Sequence, residues 1–324
     1  MMNLIQKMAI QLPYKEQSTM ISVVAFFVLL SVLFVLCLVI TRLRKGQIRY
    51  QKIGYVALMW AIGLSLVGMG AQTLYHDNTW LLQTKILNYV QAYERQKSDR
   101  EAKQDKTSRA DIAKMVMRQA VSGLDKQGFV AIPARNILLP IYNNAYSNKG
   151  LNAGADYANK SDVDPKGENK PVMGQGNYGL AAHNFNDGQT GFSGLQQETN
   201  HDLPYLKNGQ LRGSDWLNGK EVLLANAQGI YDYRITGQML VTPETVSILN
   251  PTENIEVTII SCLFPSTNYR IITHARLKNT YTWDNAPQKL VRVFNLKVKN
   301  TNAHASWWNP GVEEGANGDK GGIK

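Results

Sequence analysis

Two long apolar runs near the N-terminus constrain this chain most, because each is long enough to cross a lipid bilayer as a helix. The first run, residues 20–40, reads MISVVAFFVLLSVLFVLCLVI, and the second, residues 53–71, reads IGYVALMWAIGLSLVGMGA. Neither contains a charged side chain. About 20 such residues span the hydrocarbon core. The first run is also too long for the core of a signal peptide. The sequence therefore predicts two transmembrane helices.

The segment between the two runs predicts their orientation. Residues 42–52 read RLRKGQIRYQK and carry five basic and no acidic side chains. Positive residues concentrate in cytoplasmic loops. We predict a transmembrane hairpin over residues 20–72 with loop 42–52 in the cytoplasm. Residues 1–19 and everything after residue 72 then lie outside the cell, as parts of a multi-pass membrane protein. The alternative is that one run is a buried helix of a soluble domain.

Residues 73–126 have a different character. The stretch 81–121 contains no Pro or Gly and mixes charges at helical spacing, with a thin apolar stripe at Leu81, Ile86 and Val90. This pattern predicts a helical, solvent-facing stalk between the membrane and a catalytic domain.

Residues 127–299 predict an all-β domain. Short apolar runs such as 129–132, 137–142 and 257–260 are separated by turn-rich segments, which is typical of a β-barrel or sandwich. A further strand is expected at residues 290–298. The Asn-, Gly- and Lys-rich residues 300–324 predict a flexible C-terminal tail, in which Trp307 and Trp308 could dock.

Charge and motif content limit the function classes. Lys and Arg total 35 against 25 for Asp and Glu, a formal charge of +10. Such a charge suits nucleic acid, but also anionic membranes and cell walls. The sequence carries no nucleic-acid-binding motif, no zinc-ligand spacing and no phosphate-binding glycine loop. We expect no nucleic-acid partner, no metal and no cofactor.

The candidate chemistry centres on a lone cysteine. Cys37 lies in the first apolar run, so Cys262 is the single thiol of the remaining chain. Cys262 ends the apolar run 257–260, and Arg270 opens the next one. A thiol beside a fixed positive charge suits nucleophilic catalysis, because the cation favours the thiolate and stabilises an oxyanion. The alternative is a buried, inert thiol.

Among the five histidines, His183 is the best partner for this thiol. It follows the apolar strand 178–182, where a side chain is both held and exposed. The other four histidines lie next to the membrane segment, in a polar loop, within a later strand or in the tail: His76, His201, His274 and His304. A Cys, a His and an Arg at strand ends together predict an acyl-transfer site.

These elements resemble the sortase family. The motif LAAHN at residues 180–184, TIISC at 258–262 and the Arg eight residues later occur in the family's order. The segments LPIY (139–142) and MGQGNY (173–178) resemble the entry strands of class A sortases. The resemblance covers roughly residues 128–298. The N-terminal membrane anchor also suits class A, and the aspartate-aromatic lid motif of the pilin-assembling class is missing.

The resemblance implies a closed eight-stranded β-barrel with short helices and a Cys-His-Arg site. Cys262 would cleave an LPxTG-like sorting signal between Thr and Gly through a thioester, His183 would act as general acid and base, and Arg270 would hold substrate and stabilise the oxyanion. The partners implied are surface-protein precursors that bear the signal and the peptidoglycan precursor lipid II, which supplies the amine.

The resemblance also implies a groove for the Leu-Pro part of the signal. By position, Ala181, Ile248, Leu249, Ile260 and Ser261 would bind it, although ordinary core packing is the alternative for each. Ser261 stands where the family usually has Thr, and Ala182 where Gly is common. The double membrane hairpin also departs from most relatives, which have one span.

Some class A members bind calcium near this groove. The loop residues Asp156, Asp162 and Asp164 could do so here, but we predict no calcium site, because loop aspartates are usually solvated.

Two rival functions remain open at this point. The first is another extracytoplasmic peptidoglycan acyl-transferase of the L,D-transpeptidase kind, although its S-x-G-C-x-R signature is not present. The second is a non-catalytic, membrane-tethered module that binds the cell wall.

Overall fold

The computed structural model describes residues 28, 30–37, 39–40, 42, 50–143, 145–305, 313–316 and 318. The chain divides into two compact units, Met1–Leu82 and Gln83–Lys324. The first unit contains helix α1 (Tyr50–His76). Helix α2 (Leu82–Gln104) belongs to the second unit except for its first residue, and everything after α2 belongs to the second unit as well.

One helix in the described part of the chain is long and apolar enough to cross a membrane. It is the stretch Tyr55–His76 of α1, which overlaps the run 53–71. The described residues of the run 20–40 are helical, but the rest of that run lies outside the described residues, as do residues 1–19 and most of the basic loop 42–52. The second membrane span and the multi-pass arrangement therefore stay predictions.

Within the described residues, the second unit contains eleven strands and four α-helices, of which α2 is the first. The strands are β1 (Gly128–Ile132), β2 (Ile137–Tyr142), β3 (Ala155–Tyr157), β4 (Asn177–Ala181), β5 (Leu206–Lys207), β6 (Gln210–Leu211), β7 (Gly213–Ser214), β8 (Glu221–Ala225), β9 (Gly229–Val241), β10 (Glu256–Cys262) and β11 (Arg270–Thr282). The helices after α2 are α3 (Arg109–Met117), α4 (Asn148–Ala153) and α5 (Gln288–Val293).

Eight of these strands close into a barrel, which confirms the predicted fold. Their order is β11-β10-β4-β3-β2-β1-β8-β9, and pairing of β9 with β11 joins the two edges. The β2–β3 and β4–β10 pairs are parallel and the other barrel pairs are antiparallel. Closure leaves the barrel without a free sheet edge. β7 adds to β9, and β5 with β6 forms a separate hairpin.

Alternation of side chains explains the barrel core. On β10, Val257 and Ile259 point inward and are fully buried, together with Tyr178 and Leu180 of the neighbouring strand β4. Strand β1 is buried on both faces, because its outer side chains pack against α3 and α5.

Helix α5 corrects the strand expected at residues 290–298. Leu290, Val291 and Phe294 are buried in the cluster outside the barrel. Their spacing of one and four residues suits one face of a helix, and the apolar run was too short to distinguish the two structures by sequence.

The stalk region also differs from the solvated helix expected. Ile112, Met115 and Val116 of α3 are buried against the barrel, and Leu87, Gln91 and Ala102 of α2 are buried as well. Both helices thus pack on the barrel.

The described part of the C-terminal segment is packed, in contrast to the flexible tail expected over residues 300–324. Ala303, Ala305 and Glu314 are buried. The Glu314 carboxylate forms an ion pair with Lys126 at 2.5 Å, with both side chains almost fully buried. Trp307 and Trp308 lie outside the described residues.

Candidate active site

The register of three neighbouring strands brings the three predicted catalytic residues to one end of the barrel. In the parallel β4–β10 pair, Ala181 lies opposite Ile260. Two residues further along these strands come His183 and Cys262. In the antiparallel β10–β11 pair, Cys262 lies directly opposite Arg270. His183 precedes Cys262 by 79 residues in the sequence (262 − 183), and Arg270 follows it by 8 (270 − 262). The strand register therefore brings all three residues to the same edge of the barrel.

The same pairing places these side chains on the outer face of the barrel. Because Val257 and Ile259 point inward, Ile260 and Cys262 point outward, and Arg270 shares the face of its partner Cys262. Cys262, His183 and Arg270 are each half-buried, so they are both held and accessible.

Alternation excludes one residue from the predicted substrate groove. Ser261 was expected to contact substrate, but it lies on the inner face with its cross-strand partner Ile271 and is 2% exposed. Its hydroxyl has no hydrogen-bond partner among the described residues. Neighbouring residues of a strand face opposite sides of the sheet, so the Ser261 side chain faces away from the predicted groove.

The His183 imidazole is held from two sides. Its Nε2 lies 3.1 Å from Asn152 Oδ1 on α4, and its ring meets the Phe185 ring edge to face at a centroid distance of 5.5 Å. Burial lowers the pKa of His183 below its usual value of 6.5. The imidazole is therefore mostly neutral near pH 7 and can accept a proton. Sequence reasoning missed Asn152, since nothing in the Gly- and Asn-rich loop distinguishes it.

The Arg270 guanidinium is fixed above the turn that joins β10 to β11. Its Nη1 donates to the carbonyl oxygens of Thr267 and Tyr269 at 2.9 and 3.0 Å. Hydrogen bonds from the backbone N–H of Glu244 itself and from the Thr242 side chain lower the pKa of Glu244. The positive charge of Arg270 lowers this pKa further. The arginine thus presents a localised positive charge whose nearby counter-charge is Glu244.

Two buried amides, Asn184 and Gln196, connect the backbones around His183 and Cys262, and we refer to them as the amide bracket. Asn184 Nδ2 donates to the Cys262 carbonyl oxygen at 2.8 Å and to Gln196 Oε1 at 2.9 Å. Gln196 Oε1 also accepts from the Phe264 N–H, and its Nε2 donates to the Phe264 carbonyl oxygen. The amide bracket thus holds the backbone from Cys262 to Phe264. Neither residue stands out in the sequence.

The predicted groove residues other than Ser261 lie on the outer face or beside it. Ala181 and Ile260 are paired across β4 and β10 and are half-buried. The short helix Val246–Leu249 lies over β4, because Asn177 Nδ2 donates to the Ile248 carbonyl oxygen at 2.9 Å.

Gly179 of β4 allows this helix to approach. A Cβ at Gly179 would lie 2.5 Å from Leu249 Cδ2 and 2.2 Å from the Ala158 carbonyl oxygen. The apolar face between Leu249 and Ile260 thus leads along the strands toward Cys262.

The aspartates considered for calcium have different roles. Asp156 is fully buried, and Asp164 accepts hydrogen bonds from the N–H groups of Gly167, Glu168 and Asn169. These bonds lower the pKa of Asp164 and fold its loop back on itself. Across the described ranges, no three His, Cys, Asp or Glu side chains cluster as metal ligands.

Comparisons with known proteins agree with this geometry. Residues 130–278 match the family described as Sortase domain, and all three candidate residues lie within that range. The chain is 30% identical to Sortase A of Streptococcus agalactiae serotype III (strain NEM316) over 176 residues, which is 54% of this chain and 62% of that protein. The match thus spans less than two thirds of that relative's length. Sortase A of Bacillus anthracis is 26% identical over 210 residues, 64% of this chain and 84% of that protein.

Among solved structures, Listeria monocytogenes sortase A shares 23% identity, with 48% of this chain and 90% of that chain covered and a TM-score of 0.38. Sortase C-3 from Streptococcus pneumoniae shares 17% identity, with 62% and 88% covered and a TM-score of 0.36.

Proposed function

We propose that this chain, whose residues 130–278 match the Sortase domain family, is a membrane-anchored cysteine transpeptidase of the class A kind. The observation that carries the proposal is the strand register. It brings a half-exposed thiol, a largely neutral imidazole and a fixed guanidinium to one end of three adjacent strands. Such a trio can form and resolve an acyl-enzyme without a cofactor.

In the first half-reaction, neutral His183 accepts the proton of the Cys262 thiol as the sulfur attacks the carbonyl carbon between Thr and Gly of an LPxTG-like sorting signal. The carbonyl π electrons move to oxygen, and Arg270 stabilises the resulting oxyanion. When the oxyanion collapses, the C–N bond breaks, and protonated His183 gives its proton to the leaving Gly amine. A thioester on Cys262 remains.

In the second half-reaction, an amine of the peptidoglycan precursor lipid II attacks the thioester. Neutral His183 accepts the proton that the amine loses, and the sulfur leaves as the thiolate. The new amide joins the surface protein to the precursor. The lowered pKa of His183 suits this step, because the base must be free near neutral pH.

The outer face supplies a site for the apolar part of the signal. Ala181 and Ile260 form its floor, and Ile248 and Leu249 form its wall. An extended peptide that lies along these strands reaches Cys262 with its Thr carbonyl.

Helix α1 supplies the membrane anchor in this proposal. With its apolar stretch Tyr55–His76 in the bilayer, the barrel lies on the extracytoplasmic side, where surface proteins emerge and lipid II is presented. The run 20–40 adds a second span and makes the protein multi-pass.

The test uses the full chain in detergent micelles, because α2 packs on the barrel and a shorter piece would lose that contact. A fluorogenic LPxTG peptide is incubated with and without hydroxylamine, beside Cys262→Ala. We expect cleavage between Thr and Gly that amine accelerates and that the variant abolishes. A peptidoglycan tetrapeptide stem as the better substrate would instead indicate an L,D-transpeptidase activity. No cleavage of either substrate, together with a Cys262 that resists thiol reagents, would indicate a non-catalytic wall-binding module.

A further inference from the structure

From Ile86 onward, helix α2 exposes four large apolar side chains on one face, which we call the outer stripe: Ile86, Tyr89, Val90 and Tyr93. They are 44%, 78%, 43% and 61% exposed. At 3.6 residues per turn, these four positions fall within an arc of roughly 100°. Scattered single apolar residues on a surface are ordinary, whereas a continuous face of this kind indicates an interaction surface.

The opposite face of α2 is already occupied by the barrel. Gln91 Nε2 donates to the Gly188 carbonyl oxygen at 2.7 Å, and the Gln91 carbonyl oxygen accepts from Asn136 Nδ2 at 2.8 Å. Arg95 Nη1 donates to the Ala134 carbonyl oxygen at 2.9 Å. Rotating the helix to bury the outer stripe would break these bonds, so the stripe faces away from the barrel.

The surroundings of the outer stripe identify the partner. Lys97 and Arg100 extend its face toward the C-terminal end of α2, Glu94 and Glu101 lie along one flank, and all four are exposed. Helix α2 begins six residues after the apolar helix α1 ends at His76 (82 − 76), a connection of at most about 20 Å. Tyrosine rings beside aliphatic and basic side chains are typical of helices that lie in a membrane interface.

We propose that α2 lies along an anionic bilayer surface, with the outer stripe among the lipid headgroups and Lys97 and Arg100 at their phosphates. This inference rests on the membrane anchor of the proposed function and goes beyond it. It makes α2 a spacer one helix thick, about 10–12 Å, between bilayer and barrel.

The consequence for the active site follows from what α2 touches on its inner face. Gly188, which accepts from Gln91, belongs to the loop that follows His183 and contains Gln196 of the amide bracket. A helix that rests on the bilayer therefore holds this catalytic loop close to the headgroups. That position suits an acceptor amine carried by a lipid.

The experiment uses the full chain with Cys37→Ser and Cys262→Ala, so that a single introduced cysteine carries a nitroxide spin label. Tyr89→Cys and Tyr93→Cys probe the outer stripe. Glu94→Cys is the matched control, since Glu94 is an exposed neighbour on the flank of the same helix. The protein is reconstituted in vesicles of phosphatidylcholine and phosphatidylglycerol, and collisions of the label with oxygen and with an aqueous nickel chelate are measured.

We expect the ratio of oxygen to nickel collisions at positions 89 and 93 to exceed that at 94 severalfold, and to fall in vesicles of phosphatidylcholine alone. Equal nickel access at all three positions would overturn the proposal. Dipolar broadening between labels would overturn the proposal and indicate that a second copy of this chain covers the outer stripe. Protection from both reagents would also overturn it and indicate that another segment of this chain covers the outer stripe. Because the protein tested is catalytically inactive, none of these results depends on turnover. Failure to sediment with vesicles would instead refute the membrane anchor.

Discussion

Replacing Gln196 by Ala tests whether the amide bracket positions the nucleophile. Gln196 is 3% exposed, and its side chain bonds to both the N–H and the carbonyl oxygen of Phe264, two residues after Cys262. It also accepts from Asn184, which in turn holds the Cys262 carbonyl oxygen. The substitution removes the bonds from Gln196 to Phe264 and Asn184 and leaves the bond from Asn184 to Cys262 in place, without changing a proposed catalytic or substrate-binding residue.

The size of the effect follows from the groups left without partners. Leaving a buried donor or acceptor unsatisfied costs about 1–3 kcal/mol. Two backbone groups of Phe264 and the carbonyl oxygens of Glu198 and His201 lose a side-chain partner, but these three residues are only half-buried, so entering water recovers part of the loss. We expect destabilisation of about 2–3 kcal/mol, which lowers Tm by roughly 5–10 °C for a unit of this size.

The catalytic effect should be larger than this loss of stability explains. Misplacing a reacting group by about 1 Å can cost about 100-fold in rate. We expect kcat for LPxTG cleavage to fall by about 10- to 100-fold, measured well below Tm, with little change in KM.

Two variants serve as controls. Gln189→Ala replaces an exposed glutamine of the same loop and should behave as wild type. Gln196→Glu keeps an acceptor for the Phe264 N–H and should retain part of the activity. Wild-type kcat in a folded Gln196→Ala protein would refute the positioning role.

Three further changes have defined outcomes. Arg270→Lys should lower kcat/KM by at least about 10-fold, because an ammonium cannot reproduce a planar fork of donors; full activity in the peptide-cleavage assay would make Arg270 a bystander. Glu314→Gln should destabilise the protein by about 3–5 kcal/mol, because it leaves the Lys126 ammonium buried without its counter-charge. Denaturant unfolding measures this loss, and a change below about 1 kcal/mol would contradict it. Burial lowers the pKa of His183 in the folded state, so the unfolded state binds more protons below about pH 6.5, and stability there rises with pH. His183→Asn should therefore reduce the loss of stability between about pH 7 and pH 5. The part due to His274 should remain, because burial also lowers the pKa of His274. An unchanged pH dependence of stability would show that His183 does not contribute.

Local patterns in the sequence indicated an all-β domain and three candidate catalytic residues, and the resemblance to the sortase family indicated that the sheet closes into a barrel. Short apolar runs between turn-rich segments predicted strands, and a polar residue at the end of such a run is both held and exposed, which is where Cys262 and His183 lie. The same patterns failed at residues 290–298, where a short apolar run is equally compatible with the helix that forms.

The groove was predicted less well because proximity in sequence does not determine the face of a strand. Ser261 is adjacent to the nucleophile, yet it points into the barrel, whereas Leu249 reaches the outer face from a separate loop. Resemblance to a family gave positions along the chain, and only the pleat of β10 decided which of them face outward.

By itself, then, the sequence determined several of the barrel strands, an apolar run that can enter a membrane and the side chains that can do acyl-transfer chemistry, because these properties depend on neighbours within a few residues. The tertiary structure decided the rest. Four features join residues that are far apart in the chain. They are the pairing of β9 with β11, the hydrogen bonds of Asn184 and Gln196 around Cys262, the hydrogen bond that docks α2 through Gln91, and the buried ion pair of Glu314 with Lys126. Packing of the whole unit determines which of these residues meet, and the local periodicity of the sequence does not predict it.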